Sequence, residues 1–242
     1  MSLQLVWFRS DLRIHDNSAL AAAAAKGPVV AVFLRSIEQW RDHGHGANKL
    51  DFWARGVSAL KASLNGLNIP LLHRDIERYD DAPQALLEIA RDYGVKQLHF
   101  NYEYPLNEQR RDQAVLDAFQ QAEIGAQGHH DAVAFAPGSL LTGKGDYYGV
   151  FTPFSKAWHK QVTAEQLALR DTPKAQSPLD IPSNALPSLP ALEDAPLDGR
   201  QWPAGENAAS DNLERFLRFR GRHYKEQRDF PKVRGTSELS PY

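Results

Sequence analysis

The chain has 242 residues, 42% of them hydrophobic, with no cysteine and a formal net charge of −2. A chain of that length holds one large domain, or one domain and part of another, and its apolar content suffices for a sizeable core. The lack of cysteine excludes disulfide frameworks, thiolate nucleophiles, zinc–cysteine sites and iron–sulfur clusters, and the charge excludes a chain that is basic throughout. The amino terminus has no basic segment leading into an apolar one, and no apolar run reaches membrane-spanning length. A cytoplasmic, monomeric chain without membrane contact is therefore expected.

Residues 3–8 form a nearly continuous apolar run, which predicts a strand buried on both faces. "NSALAAAAAK" follows with strong helix formers and is stopped by Gly27-Pro28. "VVAVFL" (29–34) predicts the second strand. Leu50, Trp53, Val57, Leu60 and Leu64 then recur at helical spacing, which predicts a helix over 47–67. A strand is predicted at 69–75, then a helix at 81–94 with Pro83 in its first turn and Gly94 as its stop. A strand at 97–104, a helix at 107–122 and a last β segment near 130–135 complete the alternation. Strands alternating with helices of this length predict an α/β fold, a Rossmann-like parallel sheet with helices on both faces.

Past residue 135 the alternation stops. Residues 136–170 read as a glycine-rich loop and a short amphipathic helix around Pro153–Val162 that close the α/β core (1–135). Seven prolines among small and polar residues between 171 and 203 predict an extended linker, 171–205. A new helix follows, with Ser210 or Asp211 as its cap, and residues 206–242 read as the opening of a second, helical domain. Residues 211–234 hold eight Lys/Arg against four Asp/Glu, a local +4 that suits either a phosphate surface or a solvated helix face.

Right-handed crossovers gather the loops after the strands on one edge of the sheet, where ligands of such folds bind. That edge collects 9–16, 36–48, 74–79 and 101–108. The first of these concentrates Arg9, Asp11, Arg13, His15 and Asp16 behind a buried strand. It has no nucleophile and no G-x-G-x-x-G, so an ion-paired structural loop through Arg9, Asp11 and Arg13 is the expectation. Gly44-His45-Gly46 and Gly143-Lys144-Gly145 are isolated G-x-G pairs, and no Walker motif exists. His43 with His45 and His129 with His130 have no partners to complete a metal set, so no metal is expected. "NYEYPLNEQRRD" (101–112) places Asn101, Glu103, Asn107 and Glu108 beside Tyr102 and Tyr104. Amide and carboxylate acceptors next to aromatic rings suit a flat heterocycle bearing N–H donors, and equally a helix start capped near its dipole.

Four stretches decide between such readings: "VWFRSDLRIHDNSALAAA" (6–23), "NYEYPLNEQRRD", "VFTPFSKAWHK" (150–160) and "YKEQRDFPKVRGTSELSPY" (224–242). In that order they resemble the motifs of the DNA photolyase/cryptochrome family, most closely its bacterial folate-antenna members that repair cyclobutane pyrimidine dimers. The resemblance implies an α/β antenna domain carrying 5,10-methenyltetrahydrofolate, ahead of a helical domain carrying FAD and the damaged DNA. It implies that light absorbed by the folate reaches reduced FAD, whose electron splits the dimer. By position it implies folate contacts at Asn107 and Glu108, with His43 lining the same pocket. It implies FAD contacts at Tyr224 and at Thr236, Ser237, Glu238, Leu239 and Ser240, and a DNA contact at Arg228, with no catalytic acid, base or nucleophile in this stretch. The family continues beyond "LSPY", so a truncated chain is expected that alone neither retains FAD nor repairs dimers. A cryptochrome-type photoreceptor half and a stand-alone pterin- or nucleotide-holding module are the other functions compatible with these residues.

Overall fold

The computed structural model describes residues 2–183, 185–186 and 202–240; Met1, Asn184, positions 187–201 within the expected linker, and the terminal Pro241 and Tyr242 lie outside the described residues. Five strands, β1 (Gln4–Phe8), β2 (Val29–Ser36), β3 (Leu71–Ile76), β4 (Gln97–Asn101) and β5 (Gly125–His129), form one sheet in the order β3-β2-β1-β4-β5. Every pairing is parallel, with Gln4 opposite both Val29 and Gln97. Central strand β1 is buried along its whole length, which is why its sequence is apolar without alternation.

Helices cover both faces. Leu5, Trp7, Val30, Val32, Leu98 and Phe100 pack against α4 (Ala82–Asp92) and α5 (Leu106–Gln121). Val6, Phe8, Ala31 and Phe33 pack against α1 (Ser18–Lys26) and α3 (Ala47–Gly66). Asn17 caps α1 by accepting from the Leu20 amide at 3.0 Å. Because β1–β3 progress to one side of β1 and β4–β5 to the other, the order reverses between β1 and β4, and their carboxyl ends frame a crevice.

The structure departs from the sequence-based expectations at four places. A short helix, α2 (Ile37–Asp42), interrupts the loop expected at 36–48, and Gly44, at φ +66°, reverses the chain into α3. Strand β4 ends at Asn101 rather than 104, although the Tyr102 amide still donates to the His129 carbonyl at 2.8 Å. The last strand lies at 125–129, not 130–135. It is a polar edge strand, and a side chain at Gly128 would collide with the Tyr102 ring, so apolar patterning does not reveal it. Helix α7 (Glu206–Arg215) starts before Ser210 and Asp211, which lie inside it; its cap is Gly205, at φ +96°, packed so closely on Ala59 that no Cβ fits. Helix α6 (Phe151–Gln161), a π turn at Phe216–Arg220, α8 (Tyr224–Gln227) and two single 3-10 turns, at Tyr79–Asp81 and Gly221–His223, complete the described elements. No helix among the described residues is long and apolar enough to cross a membrane.

One buried polar chain runs through the sheet. The ring of fully buried His99 stacks on His129 with centroids 5.4 Å apart, and their Nδ1 and Nε2 atoms lie 3.1 Å apart. His99 Nε2 lies 3.2 Å from Gln4 Oε1, and the Gln4 amide nitrogen donates to Ser2. His99 Nε2 faces an acceptor and its Nδ1 shares a single proton with His129 Nε2, so protonating both rings sets donor against donor. Burial, then the neighbouring His129 and Lys26, hold its pKa down at about 4. The unfolded chain thus binds this proton first as pH falls. Stability is expected to be full above about pH 6.5 and to drop by up to about 3 kcal/mol between there and about pH 4. Urea midpoints measured against pH check this, and His99→Gln is expected to flatten that stretch of the curve.

Candidate functional site

At the β1/β4 crevice the buried Arg9, Arg111 and Asp112 meet the half-buried Glu103. Arg9, one residue past β1, donates through Nη1 to Asp112 Oδ1 at 2.7 Å. Arg111 donates to the same oxygen at 2.9 Å and to Glu103 Oε2 at 2.7 Å. Burial alone would raise the Glu103 carboxyl, but Arg9 and Arg111 hold it at about 2. The Arg9 and Arg111 guanidiniums lie 4.5 and 4.8 Å from the Trp7 ring centroid, so aromatic surface compensates part of their lost hydration.

Asp11 and Arg13 make different contacts. Asp11 Oδ1 accepts from the Arg9 amide at 2.9 Å, and its Oδ2 accepts from Asn101 at 2.6 Å, which ties the loop after β1 to the end of β4. Arg13 pairs with Asp131 and donates to the Asp16 carbonyl at 2.8 Å. Asp131 in turn accepts from the Ser18 amide at the start of α1, at 2.8 Å.

The three residues expected around a heterocycle come together on the same edge. His43 ends α2, and its Nε2 lies 3.2 Å from Asn107 Nδ2 and 3.1 Å from Gln39 Nε2. One ring lone pair satisfies one N–H, so hydrogen-bonding capacity of the two amides is left over. The Tyr79 hydroxyl donates to Glu108 Oε1 at 3.3 Å, and its ring meets His43 edge-on at 5.7 Å. Burial, reinforced by the Glu108 charge and opposed by Arg111, pushes the Tyr79 hydroxyl well above its ordinary range, so it stays a proton donor. His45 stands edge-on to both His43 and Trp53, and burial together with Lys49 and His43 lowers its pKa. On the far side of Glu108 a cavity of about 420 Å³ opens against Ser10, Asn101, Tyr102, Glu103 and Tyr104. No group of three or more His, Asp or Glu side chains among the described residues is arranged to hold a metal.

Tyr79 and Arg111 do not stand out in the sequence, yet the Arg111 guanidinium lies 4.6 Å from the centroid of the Tyr79 ring, whose hydroxyl donates to Glu108. The signal was present: 111 and 112 follow Asn107 and Glu108 by four residues, one helical turn on the same face.

The remaining candidates lie apart from this pocket. Tyr224 begins α8, is 41% exposed and meets Phe216 edge-on. The Arg228 guanidinium lies 5.6 Å from the Tyr224 ring centroid. In the 236–240 loop Thr236 and Ser240 are exposed, while Ser237 and Leu239 are half-buried. Glu238 adopts φ +58°, with its carboxylate paired to Arg234 at 2.9 Å and Arg220 at 3.6 Å. Leu239 and Ser10 line one cavity of about 530 Å³.

This fold defines a doubly wound α/β domain whose strand order reverses between β1 and β4, the edge at which ligands of such folds generally bind. The DNA photolyase family profile matches residues 4–177, and the chain belongs to that family. It is 33% identical over 242 residues to the deoxyribodipyrimidine photo-lyase of Escherichia coli K12, covering 99% of this chain and 51% of the relative. To the Vibrio cholerae deoxyribodipyrimidine photo-lyase it is 34% identical over 246 residues, covering 99% and 52%. A class III photolyase from Agrobacterium tumefaciens superposes with a TM-score of 0.86 at 28% identity, over all of this chain and 50% of that one. A cryptochrome from Synechocystis sp. PCC6803 shares the fold at TM-score 0.75 and 23% identity, over 99% of this chain and 51% of that one. The chain spans about half the length of the curated relatives it matches.

The charge cluster gives a direct stability test. Asp112→Asn leaves Arg9 and Arg111 sharing Glu103 in a site where the Asp112 side chain is only 2% exposed. A loss of about 3–5 kcal/mol in urea unfolding is expected. Replacing Arg9 and Asp112 together, by Met and Leu, is expected to recover most of it.

Proposed function

We propose that this chain is the light-harvesting part of a deoxyribodipyrimidine photo-lyase and holds a methenyltetrahydrofolate-type pigment against His43, Asn107 and Glu108. The observation that carries the reading is the convergence of those three side chains, from α2 and α5, over Tyr79. Their donor set fits a pterin. Glu108 has one oxygen committed to Tyr79, and its Oε2 is free to face an amino or ring N–H group. The Asn107 amide offers one donor and one acceptor beside it, and the His43, His45 and Trp53 rings supply flat surface. Bound there, such a pigment would absorb near-UV or blue light and pass the excitation to reduced FAD, whose electron splits a pyrimidine dimer in DNA.

In this reading the chain's own residues bind, orient and exclude water, and none is asked to act as acid, base or nucleophile. The FAD contacts are assigned to Tyr224 and to Thr236, Ser237, Glu238, Leu239 and Ser240, with residues 206–240 as the edge of the flavin-holding domain and 1–170 as the antenna domain. Glu238 adopts a left-handed backbone conformation, of the kind that phosphate-binding concavities use, and the exposed residues Thr236 and Ser240 lie two positions to either side of it. Arg228 is assigned to the DNA backbone, in keeping with its half-exposed side chain and the basic run around it. The names of the curated relatives at 33–34% identity favour repair over the photoreceptor alternative.

Titration of methenyltetrahydrofolate into the chain, followed by near-UV absorbance, tests the pocket. Glu108→Ala and His43→Ala are each expected to weaken binding about tenfold, the equivalent of one charge-assisted or aromatic contact, while Arg228→Ala leaves it unchanged. Equal affinity in wild type and Glu108→Ala would remove Glu108 from the site, and no binding at saturating pigment would refute the pocket as placed.

A further inference from the structure

The loop after β1 is fastened to the sheet through Asp11 and Arg13, but its far side is held by residues much later in the chain. Glu206, the first residue of α7, accepts from the Ile14 amide at 3.1 Å and from the His15 amide at 2.9 Å, one N–H on each carboxylate oxygen. His15 Nδ1 lies 3.2 Å from the same carboxylate. Arg170 grips the next residue: its amide donates to Asp16 Oδ1 at 2.9 Å, and its carbonyl accepts from the Asp16 amide at 3.2 Å. Asp16 itself adopts φ +45°, a conformation that costs an Asp residue and persists where its surroundings impose it. Two further contacts seat the start of α7 on α3. Arg55 Nη1 donates to the Trp202 carbonyl at 2.7 Å, and Gly205 packs on Ala59 with no room for a Cβ.

An acidic residue in a first helical turn ordinarily offers its oxygens to the free amides of its own helix. Glu206 instead commits both oxygens to a loop more than 190 positions earlier in the chain. Its side chain is only 17% exposed, against 73% for His15. Two charge-assisted bonds in parallel fix an angle as well as a distance, as a single contact does not.

We propose that Glu206 is a positioning residue: its carboxylate clamps α7 onto the Ile14–His15 amides and sets the orientation of the following helical segment relative to the α/β domain. The use of that orientation rests on the antenna reading, because excitation transfer depends on the distance and mutual angle of the two chromophores. The clamp itself is tested without any pigment, so its failure and the failure of the folate pocket are separate results.

The absence of native cysteine lets spin labels be placed cleanly at Gln120→Cys on α5 and Glu214→Cys on α7, both exposed. Pulsed dipolar distances in the otherwise wild-type chain are expected to be narrow and unimodal, and Glu206→Ala to broaden them. Amide exchange supplies the second readout. Glu206→Ala is expected to speed exchange at both Ile14 and His15 by about tenfold or more, the equivalent of one charged hydrogen bond each. Glu206→Gln, with one acceptor oxygen, is expected to speed only one of them, and amides of β1 and β2 are expected to stay unchanged in both variants. A distribution already broad in wild type, or unmoved by Glu206→Ala, would overturn the proposal. So would faster exchange spread over the sheet, because Glu206 would then serve general stability rather than position.

Discussion

The rest of the structure depends on the shared Asp112 oxygen that binds Arg9 from the end of β1 and Arg111 from α5. With Glu103, two positive and two negative groups close on one another where the strand order reverses, so burying them costs little net charge. The desolvation penalty of such a set is several kcal/mol per ion and is offset only while every partner is present. Geometry is therefore enforced here more strictly than by apolar contacts, which tolerate exchange of one hydrocarbon shape for another. β1, β4 and α5 are held in one relative placement by the charge set itself.

From that cluster the constraint passes outward in short steps. Arg111 lies on Tyr79, Tyr79 donates to Glu108, and Glu108 stands beside Asn107, which reaches His43. These links join two segments to α5: the stretch after β3, through Tyr79, and the end of α2, through His43. Residues that would face a heterocycle thus sit one helical turn from a pair that cannot shift without exposing a buried charge. In the other direction Asp11 carries the same order into the loop that α7 grips. A single junction accordingly holds both the pocket and the seat of the following segment.

Much of this was legible in the sequence, for identifiable reasons. The strands with apolar runs, β1 and β2, and the helices with clear periodicity, α3 and α4, were read nearly to their ends, because burial and helical spacing write themselves into residue type. Strand β5 was misplaced because an edge strand needs no apolar alternation, and its Gly128 answers to the Tyr102 ring rather than to the core. Helix α2 was missed because six residues carry less than two turns of period; only Gly44 marked its end. The grouping of His43, Asn107 and Glu108 came from a family resemblance, not from their spacing, since residues 64 positions apart meet only through the sheet's handedness. Tyr79 escaped notice for the same reason: one tyrosine in a polar loop says nothing until the sheet brings α5 over it.

The opening stretch shows why charge density alone misleads as a guide to chemistry. Arg9, Asp11, Arg13 and Asp16 each point to a different partner: Asp112, Asn101, Asp131 and Arg170. All four side chains are engaged within the fold, and Arg9, whose Nε and Nη2 find no hydrogen-bond partner among the described residues, is buried away from any ligand. Asn107 and the open side of Glu108 carry fewer structural bonds and lie nearer solvent, so their hydrogen-bonding capacity remains to be used. At this edge of the sheet uncommitted polar groups rest on committed ones. In the first loop the ionisable residues form the support, and on the first turn of α5 Asn107 and Glu108 keep the hydrogen-bonding capacity on which the proposed pigment site draws.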